Sequence, residues 1–311
     1  MPTLTLTVGV PGCGKSYWAA ETARTAKHKT IIVNMDDIRE TMSGSVWNYK
    51  FNKSNEDYVQ DVQNDAADRA VQKGWNIIVA DTNLNPKTVQ KWTEFAKEHK
   101  YTLKFENFFD NFKKGKDFVH DYFAMNKYSE HCKNQNIRRE DGVRESVIDR
   151  MMDQYYYSTI TPPVLEEDDG LWYIIVDVDG TIAHMGDRRS PYDETKVHLD
   201  EPDMTVMNSI HAELEVNPKR IRIIVMSGRH ETCQEATEMW LAKNVFPYHE
   251  IYMRAEGDDR PDDVVKYELY MKHVFGKKKR VLKVFDDRDK VVAMWRKLLG
   301  LKVYQVAPGN F

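Results

Sequence analysis

The chain has 311 residues, enough for two domains, and its 41% hydrophobic and 30% charged residues argue against a disordered or fibrous protein. The net charge of −4 argues against a strongly basic domain that coats nucleic acid, so such a ligand would be held at its end by local clusters such as Arg138-Arg139. The chain has no apolar run of membrane-spanning length and no secretory signal pattern, and its three sparse cysteines indicate a reducing cytoplasm.

Strand and helix patterns alternate through the first half of the chain. We predict strands at 3–8, 30–34, 75–80 and 101–108. We predict helices at 15–27, at 55–73 and from Pro86 to about Lys100. Residues 111–160 are predicted to be mainly helical and charged. Because strands and helices alternate, the pattern predicts a parallel α/β sheet.

The segment from Thr161 to Gly170 has the composition of a linker. Pro162 and Pro163 resist helix formation, and four consecutive acidic residues, 166–169, resist burial. We therefore predict a first domain at 1–160, a linker at 161–170 and a second domain at 171–311. The second domain is also predicted to be α/β, with strands at 172–176, 221–226, 281–285 and 301–306.

The first motif, Gly9–Ser16, matches G-x-x-x-x-G-K-[ST] between a strand and a helix, which is the context of a phosphate-binding P-loop. Its backbone N–H groups, including those of Gly9, Gly12, Cys13 and Gly14, would cradle phosphate at a helix N-terminus. Lys15 would reach the β- and γ-phosphates of ATP, and the Ser16 hydroxyl would contact Mg²⁺ or the β-phosphate. A chance glycine-rich turn is the alternative.

The acceptor side of this site has several candidates. Asp36 follows the second strand and could take a proton from an attacking hydroxyl, while Arg39 could orient that group; a helix cap and a surface arginine are the alternative. Asp81 ends the third strand and is either a functional acid or a turn residue beside Thr82. Arg138 and Arg139 could form a lid over ATP or a solvated face.

The second motif is Asp177-Val178-Asp179-Gly180-Thr181, directly after an apolar strand. Asp177 could attack phosphorus, and Asp179 could protonate the leaving oxygen and then activate water, with Mg²⁺ holding the anions together. A loop that binds a structural cation is the alternative. Matching residues follow the later strands or precede them: Ser227, Arg229, Lys266, Asp286 and Asp287. Arg188 and Arg189 could bind a nucleic-acid backbone or lie on the surface.

Taken in order, these motifs resemble the bacteriophage polynucleotide kinase–phosphatase family over essentially the full chain. The marks of the resemblance are GVPGCGKSYW at 9–18, DDIR at 36–39, DTNLNP at 81–86, DVDGT at 177–181, PYD at 191–193, SGR at 227–229, DDVVK at 262–266, DDR at 286–288 and the terminal YQVAPGNF.

The resemblance implies an N-terminal P-loop 5′-hydroxyl kinase and a C-terminal 3′-phosphatase of the haloacid dehalogenase (HAD) type. It implies ATP and Mg²⁺ as cofactors, a homotetramer, and repair of RNA and DNA ends, cleaved tRNA among them, before an RNA ligase acts in the host cytoplasm. The phosphatase would also remove 2′,3′-cyclic phosphates. No membrane partner is implied.

The resemblance also implies roles for single residues. In the kinase, Asp36 is the general base, Arg39 its partner and Arg138 the lid arginine, with Arg139 a substitute, while Asp81 and Thr82 serve the substrate. In the phosphatase, Asp177 is the nucleophile and Asp179 the acid/base. The remaining residues support phosphate or metal: Arg189, Ser227, Arg229, Asp262, Lys266, Asp286 and Asp287.

The chain departs from the family pattern at Met35, where the family carries a basic residue before the catalytic aspartate, and in the length of the segment 110–140. Two other functions fit the motifs. One is a small-molecule kinase fused to a HAD phosphatase, which would lack the steep salt dependence of nucleic-acid binding. The other is an ATP-dependent binding protein with a decayed phosphatase, which should have lost at least one of Asp177, Asp179 and Asp287.

Overall fold

A computed structural model describes residues 1–190, 193–244 and 246–309, with the exception of the Val46 side chain. Pro191 and Tyr192 of the PYD motif and the last two residues of the terminal YQVAPGNF lie outside this description. The chain divides into two compact units, Met1–Thr159 and Ile160–Phe311. Among the described residues, no helix is both long and apolar enough to cross a membrane.

The first unit is a parallel sheet of four strands covered by helices. Its strands are β1 (Thr3–Val8), β2 (Thr30–Val33), β3 (Asn76–Val79) and β4 (Thr102–Asn107), in the order β2-β3-β1-β4. Its helices are α1 (Lys15–Thr25), α2 (Met35–Ser43), α3 (Lys53–Lys73), α4 (Pro86–Glu98), α5 (Phe108–Lys113), α6 (Asp121–Asn136) and α7 (Glu145–Tyr155). The predicted α/β class is confirmed.

Local sequence explains where these helices begin and end. The Asn34 side chain accepts a hydrogen bond from the Asp36 N–H and caps α2, and Asn85 caps α4 ahead of Pro86. Helix α3 ends at Gly74, whose φ of 65° suits glycine. The sheet is buried by apolar side chains such as Leu4 and Trp92, both fully enclosed.

The second unit is a parallel sheet of five strands with a small antiparallel ribbon. The main strands are β5 (Trp172–Val176), β8 (Ile221–His230), β9 (Glu250–Arg254), β10 (Arg280–Asp286) and β11 (Val303–Gln305), in the order β11-β10-β5-β8-β9. The ribbon pairs β6 (Ala183–His184) with β7 (Glu201–Pro202). The helices are α8 (Met204–Val216), α9 (Gln234–Lys243), α10 (Asp262–His273) and α11 (Asp289–Ala293).

The structure differs from the sequence prediction in several elements. The segment predicted as mainly helical contains three separate helices, α5, α6 and α7, and β8 continues four residues past its predicted end at Met226. Strand β9 was not predicted. In the main sheet of each unit the strands are parallel, so the residues that follow them meet at one edge of that sheet. Each of the two sheets thus has its own candidate site at this edge.

Candidate active sites

The P-loop conformation depends on two glycines. Gly12 and Gly14 have φ of 82° and 99°, a region that favours glycine. A Cβ added at Gly12 would lie 2.1 Å from the Cys132 carbonyl oxygen, so the loop packs directly against the backbone of α6. Lys15 is nearly buried, and its Nζ donates to the Val10 carbonyl oxygen at 2.9 Å. The P-loop therefore surrounds the Lys15 ammonium group, whereas Ser16 is exposed.

Asp36 lies on the first turn of α2, and its side chain is 63% exposed. Arg39 NH1 donates to the Asp36 carboxylate at 2.7 Å, which confirms that the two residues are in contact. The same guanidinium donates through NE and NH2 to both oxygens of Glu56, at 3.1 and 2.7 Å. Glu56 comes from α3, seventeen residues away, and carries no motif, so sequence reasoning missed it. Glu56 therefore fixes the Arg39 guanidinium, and the exposed Asp36 carboxylate is accessible to a hydroxyl group.

Asp81 acts through the backbone of α2. One carboxylate oxygen accepts the Met35 N–H at 2.9 Å, and the other accepts from Gln63 at 2.6 Å. Burial raises the pKa of Asp81, and these two hydrogen bonds oppose that rise. Asp81 thus fixes the start of the helix that presents Asp36. The Thr82 carbonyl accepts the Gly9 N–H at 3.1 Å, which joins this turn to the P-loop.

The arginine pair lies in the segment after α6. Arg139 donates to both carboxylate oxygens of Asp141. Hydrogen bonding to Asp141 raises the pKa of Arg139, burial opposes the rise, and the charge of Asp36 adds to it. The charges of Arg139 and the acceptor carboxylate therefore interact. Arg138 is exposed.

A cavity of about 770 Å³ lies elsewhere in the first unit. Its walls come from β1, β4, α4 and the region of α7, and include Val8, Phe105, Asn107 and Tyr156. None of the predicted site residues lines it. The candidate phosphate and acceptor groups therefore do not depend on this cavity.

In the second unit, Asp177 and Lys266 form the centre of the site. Lys266 Nζ donates to Asp177 Oδ1 at 2.7 Å and to Asp286 Oδ2 at 2.9 Å, and all three side chains are buried. Burial raises the pKa of Asp177 well above its ordinary value, although the Lys266 charge opposes this. Burial also opposes protonation of Lys266, but the two aspartates raise its pKa, so the amine stays charged.

Asp177, Asp286 and Asp287 can place one oxygen each within 4.8 Å of one another. Mg²⁺ prefers oxygen ligands such as carboxylates, so a group of three carboxylate oxygens this close together fits the predicted Mg²⁺. Burial and the neighbouring Asp286 raise the pKa of Asp287 to about 6, a sign that the cluster lacks positive charge. Gly180 leaves space for the Asp287 carboxylate, because a Cβ at position 180 would lie 2.0 Å from Asp287 Oδ2.

Asp179, predicted as a further metal ligand, directs its carboxylate at two arginines. It accepts from Arg189 at 2.7 Å and from Arg229 twice at 2.8 Å. Burial alone would raise the pKa of Asp179, but these two guanidinium groups hold it below its ordinary value. Its side chain is thus paired with the two arginines, and Asp179 is not among the three carboxylates that could hold a metal ion.

Asp200 supports both arginines. Its fully buried carboxylate accepts from Arg189 Nε at 2.7 Å and NH2 at 2.8 Å, and from Arg229 NH2 at 2.7 Å. Its own carbonyl accepts from Trp240 Nε1 at 2.8 Å. Asp200 follows a short 3-10 helix and belongs to no recognisable motif, so sequence reasoning missed it.

The backbone of Ser227-Gly228-Arg229, near the end of β8, packs against Asp262 and Arg254. The Arg229 N–H donates to the buried Ser227 Oγ at 3.2 Å, and a Cβ at Gly228 would lie 2.4 Å from Asp262 Oδ1. Arg254, which was not predicted, donates to the Gly228 carbonyl at 2.7 Å and also to Asp262. The contacts thus join Asp177, Lys266 and Asp286 in one group and Asp179, Arg189 and Arg229 in another. Arg188 instead pairs with Glu201 on the surface.

Comparison with known proteins assigns both units. Residues 172–311 match the model of the polynucleotide kinase PNKP phosphatase domain, and residues 4–157 match an AAA domain. A putative bifunctional polynucleotide kinase/RNA ligase of Autographa californica nuclear polyhedrosis virus is 27% identical over 324 residues, covering 97% of this chain. The chain spans 42% of that relative's length.

Two solved structures are also similar. One, described as the structure of the Pnkp1/Rnl/Hen1 RNA repair complex, is 25% identical, with a TM-score of 0.45 over 100% of this chain and 97% of the other. A second structure of the Pnkp1/Rnl/Hen1 complex is 24% identical with the same TM-score, over 100% of this chain and 98% of the other. The two domain matches, which cover nearly the whole chain, carry the assignment. The chain therefore joins an N-terminal α/β domain that matches an AAA domain to a C-terminal α/β domain that matches the phosphatase domain of polynucleotide kinase PNKP.

Proposed function

We propose that the chain is a bifunctional nucleic-acid end-repair enzyme, with a kinase domain at 1–160 and a phosphatase domain at 171–311. The first transfers the γ-phosphate of ATP to a 5′-hydroxyl end of RNA or DNA, and the second removes a 3′-phosphate. The observation that carries this proposal is the exposed Asp36 carboxylate, held by Arg39 in the unit that carries the P-loop. An acceptor base beside a phosphate loop is what distinguishes a kinase from a nucleotide switch.

In the kinase, the backbone N–H groups of Gly12–Gly14, with Lys15 and Ser16, would hold the phosphates of ATP and its Mg²⁺. Gly9, also predicted to contact phosphate, instead donates its N–H to the Thr82 carbonyl. Asp36 would accept the proton of the 5′-hydroxyl as its oxygen attacks the γ-phosphorus, and ADP would leave. Arg39 orients the acceptor. Asp81 and Thr82 position α2 and the P-loop through the backbone. Of the two lid candidates, Arg139 is paired with Asp141, whereas Arg138 is exposed and would be the lid arginine, with Arg139 as its substitute.

In the phosphatase, Asp177 would attack the phosphorus of the 3′-phosphate and become an aspartyl phosphate, while Asp179 gives a proton to the departing 3′-oxygen. Asp179 would then take a proton from the water that attacks the phosphorus of the aspartyl phosphate, which releases inorganic phosphate and regenerates the Asp177 carboxylate. Mg²⁺ at Asp177, Asp286 and Asp287 would supply the positive charge that lets a carboxylate approach phosphate. Lys266 would balance the nucleophile's charge, and Ser227 would bind the transferring phosphoryl.

The arginine pair gives Asp179 a way to become an acid. A phosphate bound by Arg229 would draw that guanidinium away from the Asp179 carboxylate. The loss of the two hydrogen bonds from Arg229 would raise the pKa of Asp179 toward the range in which it can donate a proton. Arg189 and Asp200 would keep the pair aligned during the exchange, and Asp262 would support the turn that carries Ser227.

The natural substrates and partners are the finer part of the proposal. We infer RNA ends as substrates, cleaved tRNA among them, with 2′,3′-cyclic phosphates removed by the same phosphatase. The viral relative is named a putative polynucleotide kinase/RNA ligase, and this name supports cooperation with an RNA ligase. We further propose a homotetramer that acts in the cytoplasm of a phage-infected host.

The decisive experiment uses one RNA that carries a 5′-hydroxyl and a 3′-phosphate, incubated with ATP and Mg²⁺. We expect the wild type to convert both ends, Lys15→Ala to lose only 5′ phosphorylation, and Asp177→Ala to lose only 3′ dephosphorylation. If the wild type changes neither end over a range of pH and metal ions, the proposal is wrong. If one substitution abolishes both activities, the assignment of two separate sites is wrong.

A further inference from the structure

Two large aromatic side chains are exposed in the segment between α2 and α3. Trp47 is 61% exposed and Phe51 is 67% exposed. We call these two residues the aromatic ledge. A tryptophan or phenylalanine side chain offers a large, rigid face for contact, and most such side chains are largely buried. Two exposed rings four residues apart therefore indicate a surface that receives a ligand.

Phe51 is placed beside the acceptor carboxylate. Its ring centroid lies 5.4 Å from the Arg39 guanidinium, and Arg39 holds Asp36 at 2.7 Å. The Tyr49 ring meets Phe51 edge-on, with centroids 4.9 Å apart, and fixes the orientation of the exposed ring. Arg39 thus lies between the Phe51 ring and the Asp36 carboxylate, the group that would take the acceptor's proton.

Trp47 is anchored on the other side of the same region. Its Nε1 donates to the Glu140 carbonyl at 3.1 Å, between Arg139 and Asp141. The ledge is therefore tied at Trp47 to the segment that carries Arg138 and Arg139, and at Phe51 to the arginine that holds Asp36. The N–H group of Trp47 fixes its ring against the first of these.

The charge around the ledge is suited to a polyanion. Lys50 and Lys53, which flank Phe51 in sequence, are exposed, and Arg138 is exposed in the segment that anchors Trp47. Aromatic rings interleaved with cations are the pattern by which proteins hold single-stranded nucleic acid, since any base can stack on a ring while its phosphates meet the cations. Paired bases inside a duplex have no free face to offer.

We propose that Trp47 and Phe51 stack on the unpaired bases at the 5′ end of the acceptor strand and so select single-stranded ends. This inference rests on the proposed kinase function and deepens it, because it assigns the specificity of that site to two named side chains. The occupant is the first nucleotides of the strand whose 5′-hydroxyl meets Asp36. A recessed 5′ end would have to unpair its bases to use the ledge.

The test uses the full chain with Trp47→Ala, Phe51→Ala and the double variant. The acceptors are a 5′-hydroxyl single strand, the same strand with abasic sites at its first two positions, and a duplex with a recessed 5′ end. We expect each alanine variant to raise the KM for the normal strand by roughly 5- to 100-fold, with kcat little changed, as the loss of one stacked base predicts. The KM for ATP and the 3′-phosphatase activity should stay as in the wild type.

Matched variants separate stacking from structure. Phe51→Tyr and Trp47→Phe keep a ring, so their KM for the normal strand should stay close to that of the wild type. Trp47→Phe also removes the bond to Glu140 and part of the ring area. Phe105→Ala is the control, because Phe105 is a similarly exposed ring, 52%, on β4, at the opposite end of the sheet from β2. We expect it to leave the KM for the strand unchanged.

The abasic strand decides the result. If stacking is the cause, the alanine variants and the wild type will handle the abasic strand alike. Equal losses on the normal and abasic strands, or no loss on either, would overturn the inference, including the case in which the ledge serves a protein partner. If no oligonucleotide is phosphorylated at all, the proposed kinase fails. Fluorescence anisotropy of the labelled strand without ATP then still decides the ledge, which is wrong if the alanine variants bind the strand as tightly as the wild type.

Discussion

The carboxylate of Asp200 lies 2.7 Å from the Nε of Arg189, and neither side chain has more than 1% of its surface exposed. A buried guanidinium left without its partner is strongly destabilising, by about 3–5 kcal/mol for a pair broken on one side. Since Arg189 and Arg229 both depend on Asp200, this one residue sets the position of the two cations that hold Asp179.

We therefore predict that Asp200→Asn slows turnover at the phosphatase site roughly 10- to 100-fold while 5′ phosphorylation is unchanged. The pH profile should shift as well, because misplaced arginines no longer hold the pKa of Asp179 down. Asp203→Asn is the control, since Asp203 caps α8 and bonds His184 outside this network. A normal phosphatase rate in Asp200→Asn would contradict the assigned role.

Gly12→Ala should destabilise the first unit and prevent ATP binding. The new Cβ would meet the Cys132 carbonyl oxygen at 2.1 Å, in addition to the strain of its φ of 82°. Gly74→Ala is a matched control, because Gly74 has a φ of 65° but nothing within 4 Å of the new Cβ. We expect a loss of about 1 kcal/mol for Gly74→Ala and a clearly larger loss for Gly12→Ala. Thermal unfolding measures the difference, and equal losses would show that the clash is relieved.

Asp81→Ala should slow the kinase roughly 10- to 100-fold through misplacement of α2. The variant loses the acceptor of the Met35 N–H and the partner of Gln63. Asp81→Asn should retain most of the activity, because an amide oxygen can accept the same N–H and Gln63 can turn its own oxygen toward the new NH₂. Initial rates of 5′ phosphorylation test both variants. Equal loss in the two would mean that the negative charge, rather than the hydrogen bond, matters.

The stability of the metal-free protein should depend on the ionisation of Asp287. Its pKa in the folded chain is about 6, above the ordinary value of about 4. An acid whose pKa is higher in the folded chain than in the unfolded chain stabilises the fold while it is protonated. The stabilisation from Asp287 is therefore fully present below about pH 4 and is lost as the pH rises through about 6.

We predict that the melting temperature in EDTA falls between pH 5 and pH 7.5, and that Mg²⁺ raises it more at pH 7.5 than at pH 5. In Asp287→Asn, which cannot ionise at this position, both trends should be smaller. Differential scanning fluorimetry is sufficient for the comparison. An Mg²⁺ effect that is the same at both pH values would argue against this cluster as the metal site.

Much of the fold could be predicted because strong apolar periodicity meets clear breaks. Strands such as β1 and β5 were predicted with their observed bounds. Strand β9 was missed because Glu250–Arg254 has only three consecutive apolar residues between two charged ends, at a sheet edge where tertiary pairing decides the conformation. The breaks within the segment 111–160 were missed because its helices are polar and their ends depend on packing.

The sites could be predicted where chemistry follows a strand. Asp177, Ser227 and Asp286 come from three neighbouring parallel strands, so sheet topology alone brings them together. Glu56 and Asp200 could not be found in this way, since each reaches its arginine from an element that only the folded chain places nearby. Supporting residues of this kind leave no mark in local sequence.

The cluster of Asp177, Asp286 and Asp287 around Lys266 has a consequence for ion choice. When fully ionised, three carboxylates and one ammonium leave a deficit of two positive charges in a closed space. A divalent cation restores electroneutrality, whereas a monovalent ion leaves the pocket negative and a trivalent ion leaves it positive. Lys266 thus acts as a fixed counter-charge that tunes the site to ions of charge two before their size or coordination geometry is considered.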